Sequence, residues 1–333
     1  MKNETIIFFL LLILVSCDGR RLNFDQGIIP PVATNFSVVN SVYDDYNSDL
    51  EITWASREFS LIFSSSRNSL GDDFDFVGYR GDIFFDLLTG DFLISARDFN
   101  FEVLDRINSE ANEFGPYFTA DYDSNPFRLH KNGGSQRLLY TSDLAASQDI
   151  YCIYYSLDDP PDFIPDGDVM PVASINTEFN EAYLTIHKGE DPKSEVAYFC
   201  SDRDGTWDIW RAAGEEGKLI SESAAADLTK VARLSGDADE KCPYVSGNIM
   251  VFASDRAGGH GGFDLWYSLY DGTAWSEPVN FGDEINTEYD EFRPVVVQAE
   301  DGFFMNDLMI FSSNRPGGMG GFDLYYAGIK RFS

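Results

Sequence analysis

Short apolar runs alternate along this chain with turn-forming stretches rich in Gly, Asp and Asn. Residues 250–253 (Met-Val-Phe-Ala) and 309–312 (Met-Ile-Phe-Ser) are two such runs, and a Gly-Gly-x-Gly-Gly stretch follows each of them shortly afterwards. This pattern predicts buried strands joined by tight hairpins, in which glycine takes positions that a Cβ atom resists. The aromatic run at residues 263–267 predicts the next strand. Since no long amphipathic helical period is present, the sequence predicts an all-β fold.

Two signatures recur five times, which indicates an array of equivalent supersecondary units. The first is the apolar run with its hairpin, at residues 61–67, 138–143, 197–210, 250–266 and 309–325. The second, here called the head, lies at residues 39–45, 107–113, 175–181, 234–240 and 285–291. The heads end on Asp45, Glu113, Glu181, Glu240 and Glu291, at spacings of 68, 68, 59 and 51 residues. Heads and hairpins alternate in strict order, so the sequence predicts five units.

Four strands per unit, repeated radially, form the blade of a β-propeller. The sequence therefore predicts a five-bladed β-propeller of four-stranded antiparallel blades, over residues 28–333. The predicted blades are residues 37–106, 107–174, 175–233, 234–284 and 285–333. The last unit is one strand short, and residues 31–36 resemble residues 278–281, which form the outer strand of the preceding unit. We therefore expect residues 28–36 to complete the last blade and close the ring; the alternative is an unpaired N-terminal arm.

Residues 1–17 have the features of a targeting segment. Lys2 precedes an apolar run at residues 6–15, which is short for a transmembrane helix, and Leu14-Val-Ser-Cys17 resembles the bacterial lipobox. That resemblance implies an acylated Cys17 followed by a tether at residues 18–27; an unmodified Cys17 is the alternative. Surface-exported lipoproteins of the Bacteroidetes type carry an acidic run after this cysteine, and the run is missing here. The expected location is the periplasmic face of the outer membrane, with the lipid as anchor.

The amino-acid composition narrows the classes of molecule that this chain is expected to bind. The 333 residues include 56 acidic and 24 basic side chains, which argues against nucleic acid or anionic lipid headgroups as ligands. The excess is compatible with a basic protein surface, with bound cations, or with solubility alone. Three cysteines remain after Cys17, an odd number that cannot all pair. A Cys200–Cys242 bridge is one option, and small strand residues are the other.

The recurring polar residues suggest architecture more than catalysis, because catalysis needs a unique constellation. Three units place an arginine and an aspartate on either side of the hairpin, and we expect them to form charge-assisted pairs. These are Arg203 with Asp208, Arg256 with Asp264, and Arg315 with Asp323. The five head acids precede the innermost strands, so a capping or inter-blade hydrogen-bonding role is favoured, with a Ca²⁺ site at the channel mouth as the alternative. No catalytic residue and no other cofactor is predicted.

Residues 285–291 and 311–325 closely resemble the WD-like β-propeller repeat of the TolB-like group. In Bacteroidetes such repeats occur in periplasmic and outer-membrane lipoproteins, several of them in type 9 secretion machinery. The resemblance implies a non-enzymatic, protein-binding propeller whose partner is an outer-membrane or periplasmic protein, such as a secretion translocon that it assists or plugs. The alternative is a glycan-binding or glycoside-hydrolase-like propeller. Four tryptophans, Trp207, Trp210, Trp266 and Trp275, are then candidates for stacking on sugars, although repeat positions favour the blade core.

Overall fold

The computed structural model describes residues 24–120, 136–145, 147–157, 163–188, 194–215, 218–220, 227–299 and 302–332. These residues form five antiparallel sheets and one short helix, α1 (Leu104–Ile107). The predicted all-β class and the predicted number of blades are confirmed. The targeting segment, Cys17 and residues 18–23 of the tether lie outside the described residues, and their assignments stay predictions.

The strands are numbered along the chain, which starts with β1 (Thr34–Asn35). Blade 1 contains β2 (Asp45–Thr53), β3 (Glu58–Ser65), β4 (Asp75–Phe85) and β5 (Phe92–Asp98). Blade 2 contains β6 (Glu113–Ala120), β7 (Gln136–Ser142), β8 (Asp149–Leu157), β9 (Phe163–Pro165) and β10 (Met170–Pro171). Blade 3 contains β11 (Glu181–Lys188), β12 (Ser194–Ser201), β13 (Asp208–Glu215) and β14 (Leu228–Lys230). Blade 4 contains β15 (Glu240–Ser246), β16 (Ile249–Ser254), β17 (Asp264–Leu269) and β18 (Val279–Asn280). Blade 5 contains β19 (Glu291–Val297), β20 (Asp307–Ser313), β21 (Asp323–Ile329) and β1.

Each blade begins with its innermost strand, and these five strands contact one another in sequence around the axis. The last of them, β19, contacts β2, so the ring is closed. Blade 2 differs from the predicted four strands because both β9 and β10 pair with β8. The apolar core lies mainly between the faces of adjacent blades, where Phe63, Phe199 and Phe311 are among the fully buried side chains.

The N-terminal strand closes the ring, as predicted. Thr34 pairs with Tyr326 and Asn35 with Tyr325, so β1 becomes the outer strand of blade 5. The N–H of Phe36 donates to Leu324 O at 2.8 Å, and the Phe36 side chain is 1% exposed. This strand satisfies an edge that would otherwise be open to solvent.

The heads fasten each blade to the one before it, which explains why they recur. Asn286 donates from Nδ2 to Leu265 O at 3.0 Å, and its Oδ1 accepts the Leu265 N–H at 2.8 Å. Asn40, Asn108 and Asn176 make the same two bonds to Leu324, Phe76 and Ile150, respectively. A buried backbone N–H or C=O is costly if left unpaired, so this asparagine satisfies two such groups at every blade junction that has it.

Candidate functional site

Every inner strand carries a β-bulge close to its start, and the bulges surround the axis. The register with the second strand shifts at this point in all five blades. One residue in each bulge takes a left-handed φ, and we call these five residues the floor: Asn47 (56°), Gly115 (54°), Tyr183 (58°), Cys242 (55°) and Arg293 (47°). A bulge redirects the side chains of its strand. Here it gathers five different residues, four of them with side chains, at the centre of the ring.

The end of the axis at which the inner strands begin, here called the mouth, is surrounded by aromatic side chains. They occupy two positions of the repeat, directly after the head acid and directly before the third strand of the blade. The first position holds Tyr46, Phe114, Ala182, Lys241 and Phe292, and the second holds Phe74, Gln148, Trp207, Phe263 and Phe322. The N–H of each head acid donates to the carbonyl of the second-position residue in the preceding blade, at 2.6 to 2.9 Å. These bonds hold the two sets side by side.

The mouth aromatics form two arcs. In the first arc Tyr46 lies 4.8 Å from Phe74 and 5.6 Å from Phe322 between ring centroids, and Phe114 lies 5.8 Å from Phe74. Except for Phe114, which is 9% exposed, the aromatic rings named at the mouth are partly open to solvent.

In the second arc Lys241 Nζ lies 5.0 Å from the ring centroid of Trp207 and 5.2 Å from that of Phe263. Phe263 lies 5.4 Å from Phe292. The arcs are separated at the positions where Gln148 and Ala182 replace aromatic residues. Gln148 is the polar side chain in this gap.

The floor beneath these rings is packed and polar. Arg293 is fully buried; its Nη2 donates to Pro116 O at 2.7 Å, and its guanidinium lies 5.7 Å from the ring centroids of both Tyr183 and Tyr244. Asn47 Nδ2 donates to the Tyr183 hydroxyl at 3.3 Å. Within the described chain, Arg293 Nε and Nη1 and Asn47 Oδ1 have no hydrogen-bond partner.

Two carboxylates on β2 have no counterpart in the other blades. The positions equivalent to Asp49 hold Tyr117, Thr185, Tyr244 and Val295. Burial raises the pKa of Asp49 to about 6, against the opposing attraction of Arg293 and a 2.6 Å hydrogen bond from the Phe118 N–H. Burial, together with the charge of Asp49, raises the pKa of Glu51 to about 7. Asp49 is only 1% exposed and belongs to the interior of the ring, whereas Glu51 is partly exposed.

The head acids lie inside their own blades. Each is at most 1% exposed. Glu291 accepts hydrogen bonds from the Thr287 N–H and hydroxyl at 2.8 and 2.7 Å, from Ser313 Oγ at 3.0 Å and from Arg315 Nη2 at 2.9 Å. The same arginine contact is made by Asp45, Glu181 and Glu240, at 2.6, 2.7 and 2.9 Å from Arg67, Arg203 and Arg256.

Glu113 departs from this arrangement because its blade has Leu144 where the others have arginine. It accepts from Ser109 Oγ at 2.7 Å, and its Oε2 has no partner within the described chain. Burial raises the pKa of Glu113 to about 7.

The structure therefore pairs the repeat arginines differently from the prediction. Arg203, Arg256 and Arg315 contact the head acids and not Asp208, Asp264 and Asp323. Asp264 instead accepts the N–H groups of His260 and Gly261, and Asp323 those of Met319 and Gly320. Asp208 contacts Lys230 Nζ at 2.6 Å. The physical reason is that a glycine hairpin leaves backbone donors near its aspartate, which satisfy the carboxylate locally.

The other candidates are distributed across the ring. Trp266 and Trp275 are buried in the blades, Trp210 is half-buried against Arg203, and Trp207 alone of the four lies at the mouth. Cys152, Cys200 and Cys242 are buried and form no disulfide, so the Cys200–Cys242 bridge is not present. In the described part of the chain no group of three or more His, Cys, Asp or Glu residues is placed to hold a metal. The Ca²⁺ site stays a prediction.

No protein-family model matches this chain, and no curated protein matches its sequence. Solved structures share its fold. An endo-arabinase from Bacteroides thetaiotaomicron is similar with a TM-score of 0.55 and 10% identity, over 92% of this chain and 99% of that one. An exo-β-1,3-galactanase from Clostridium thermocellum is similar with a TM-score of 0.51 and 12% identity, over 92% of this chain and 63% of that one. A fructofuranosidase from Schwanniomyces occidentalis is similar with a TM-score of 0.52 and 12% identity, over 90% of this chain and 58% of that one. At these identities the likeness establishes the fold alone.

The predicted TolB-like resemblance and the predicted role in type 9 secretion are wrong on this comparison. The structural neighbours are five-bladed glycoside hydrolases, not TolB-like or secretion-related propellers. The contacts of Asn286, Glu291 and Arg315 explain the error. These motif residues close a blade and join it to its neighbour, so they specify how a blade is built and not what the ring binds.

The aromatic mouth was not predicted from the sequence. A signal was available, because an aromatic residue directly precedes the repeat aspartate in four of the five units, at Phe74, Trp207, Phe263 and Phe322. Arg293 and Asp49 gave no such signal, since the equivalent positions of the other blades hold other residue types. In the described residues no helix has the length and apolar character needed to cross a membrane.

Proposed function

We propose that this chain is a carbohydrate-binding five-bladed propeller that holds a glycan at its mouth. The observation that carries the proposal is the pair of arcs of partly exposed aromatic rings around the axis. Sugar rings present flat C–H faces, and aromatic side chains offer large rigid faces against which such surfaces pack. The structural neighbours add support, since their names describe enzymes that act on arabinan, galactan and fructan bonds.

The polar groups of the mouth suit hydroxyl-bearing ligands. Lys241 is half-buried between Trp207 and Phe263, and it can donate hydrogen bonds to a sugar hydroxyl beside the ring that stacks on Trp207. Gln148 supplies both donors and an acceptor at the gap between the arcs. Small-molecule sites are lined mostly by apolar and aromatic side chains with a few polar groups that fix orientation, and the mouth has this composition.

Glycoside hydrolysis is the second candidate, and it is favoured by Asp49 and Glu51. Acid–base hydrolysis of a glycosidic bond uses two carboxyl groups, one of which must hold a proton and therefore needs a raised pKa. Asp49 and Glu51 are two carboxyl groups at positions that no other blade repeats, and burial raises the pKa of both. Binding is preferred because Asp49 is buried and already accepts the Phe118 N–H. A hydrolase would need the floor to open before a glycosidic oxygen could reach this carboxyl.

Binding is tested by titrating the full chain with arabinan, galactan and fructan oligosaccharides in a calorimeter. We expect Trp207→Ala and Phe74→Ala each to weaken binding roughly tenfold, because each removes a stacking surface. The matched control is Phe84→Ala, which removes an exposed aromatic ring from the far end of blade 1. Equal affinity in all four proteins, or no binding to any neutral glycan, would refute the proposal.

Hydrolysis is tested separately by measuring release of reducing sugar from the same polymers. An active enzyme should lose at least a hundredfold in rate with Asp49→Asn and keep its rate with Asp82→Asn, an exposed acid on β4. Glycan binding without sugar release would support the first candidate and exclude the second for the polymers tested.

A further inference from the structure

The end of blade 1 furthest from the mouth carries an exposed apolar surface, here called the apolar rim. It consists of Ile28, Phe84, Leu87, Leu88, Leu93 and Met305, whose side chains are between 39 and 61% exposed. Scattered exposed apolar residues are ordinary on a protein, but a continuous group of them marks a contact surface.

The rim residues are neighbours in the structure. Phe84 and Leu93 are cross-strand partners at the end of the β4–β5 ribbon, and Leu87 and Leu88 lie in the turn that joins these strands. Ile28 forms a parallel bridge with Asp91, two residues before Leu93. The Met305 N–H donates to Gly27 O at 3.0 Å, which places Met305 beside Ile28.

The ribbon is apolar on both of its faces. Ile83 and Phe92 point into the core and are at most 9% exposed, whereas Phe84 and Leu93 point outward from the same two strands. A strand with one face in water normally alternates apolar and polar residues. Phe84 and Leu87 also line a groove of about 580 Å³ together with Phe303 and with the charged side chains of Asp25, Arg57 and Asp82.

The chain leaves the described structure at this rim. An ideal Cβ on Gly90, in the turn of the ribbon, would lie 2.6 Å from the ring of Phe24, so Phe24 packs on that turn. Six residues separate Phe24 from Cys17, and an extended segment of that length reaches at most about 20–25 Å. Acylation of Cys17, which is itself a prediction, therefore places the lipid next to the rim.

We propose that the apolar rim rests on a zwitterionic lipid bilayer when Cys17 anchors the chain. The charges around the rim select the type of lipid: the exposed Asp25, Asp82 and Asp91 outnumber the exposed Arg57 there, and the whole chain has a net charge of −32. These carboxylates repel anionic headgroups, whereas apolar side chains insert between zwitterionic ones. β4 runs from the mouth to the rim over 11 residues, so the mouth would be held up to about 35 Å above the membrane, at the opposite end of the blade.

The rim is tested with a polarity-sensitive fluorophore on the full, acylated chain in phosphatidylethanolamine–phosphatidylcholine vesicles. Leu88→Cys places the label in the rim, and Leu144→Cys, which is exposed in the β7–β8 hairpin at the mouth end, is the matched control. The native thiols of Cys152, Cys200 and Cys242 are buried, so the label reacts at the introduced site. We expect the emission of the Leu88→Cys label to rise at least threefold more on vesicles than that of the control.

A second measurement separates the rim from the anchor. In the Leu88→Cys background, Phe84→Ser and Leu87→Ser together should reduce the vesicle-dependent emission to the level of the control, while the far-ultraviolet spectrum and the glycan affinity at the mouth stay unchanged. Equal emission from both labels would overturn the proposal, because the propeller would then hang freely from its lipid. An acylated chain that dimerises through the rim, or a chain that does not join vesicles, would overturn it as well. Neither outcome bears on glycan binding at the mouth.

Discussion

Replacing Asp49 with asparagine should flatten the dependence of the protein's stability on pH. Burial raises the pKa of this carboxyl from 3.8 to about 6 in the folded chain. The folded state therefore holds a proton that the unfolded state has released in the window between these two values. Stability contributed by the protonated group is present at low pH and decreases as the pH rises through this window.

The magnitude follows from the two pKa values. One pKa unit corresponds to 1.36 kcal/mol, so the ionised Asp49 costs the folded state on the order of 3 kcal/mol at neutral pH relative to its protonated form. Most of this loss, ~2 kcal/mol, falls between about pH 4 and about pH 7.5. Burial also raises the pKa values of Glu51 and Glu113, each to about 7, so these two groups act in the same direction and extend the loss to higher pH.

The assay is guanidinium denaturation of the full chain at several pH values from about 4 to about 8. The free energy of unfolding of the unmodified protein should fall across this range, and that of Asp49→Asn should fall by ~2 kcal/mol less. Asparagine keeps an acceptor for the Phe118 N–H, which the carboxylate accepts at 2.6 Å, so the fold is retained. Asp82→Asn is the control, because its exposed side chain is screened by water and should leave the slope unchanged.

Two results would refute this reasoning. Parallel curves for the unmodified protein and Asp49→Asn would mean that the carboxyl is not desolvated on folding. A free energy of unfolding that falls more steeply with pH in Asp49→Asn than in the unmodified protein would mean that the attraction of Arg293 outweighs burial, and the pKa of Asp49 would then lie below its usual value.

Three further predictions test the repeat contacts. At about pH 8, Glu291→Gln should cost ~2–4 kcal/mol of unfolding free energy because it leaves the partly buried Arg315 without its carboxylate, whereas Glu113→Gln should be neutral or stabilising by ~1 kcal/mol; equal losses in the two variants would contradict this. Gly115→Ala should lower stability by ~1–3 kcal/mol in thermal denaturation, since its Cβ would lie 2.4 Å from the Tyr183 ring, and an unchanged melting temperature would count against that packing. Phe36→Ala should cost ~3–5 kcal/mol in chemical denaturation by emptying the site that holds the closing strand, and a loss below ~1 kcal/mol would show that β1 is dispensable.

The number of blades and the closure of the ring could be predicted from the sequence because each unit carries the groups that attach it to the next. Asn286 shows this, since one recurring position of the repeat accounts for two backbone hydrogen bonds to the preceding blade. The closing strand was found by the same logic, because residues 31–36 match the outer strand of blade 4 in sequence and in phase. Residues that recur with the period of the sequence therefore make contacts that recur from blade to blade.

The partner of each repeat arginine could not be predicted in this way. Arg315 has an acid on either side in the sequence, at Glu291 and Asp323, and both recur with the same period. The choice depends on register: Glu291 pairs with Ser313, two residues before Arg315, whereas Asp323 is satisfied by the N–H groups of the hairpin. A sequence records which charges are present, but the competition between backbone and side-chain donors is decided only in the folded hairpin.

The axis shows where repetition ends and the particular properties of this ring begin. Five positions with the same left-handed backbone hold five different residues, and four of them are not glycine. Such a conformation is unfavourable for residues with a Cβ and persists only where the surrounding structure maintains it. The heads keep the same junction asparagine in four blades and a buried acid in all five because they perform the same task in each blade. The floor does not, and Arg293 and Tyr183 lie directly beneath the aromatic mouth. A ligand approaching along the axis would meet the part of the ring in which the blades differ most, and so specificity is expected at the floor and the mouth and not in the repeated heads.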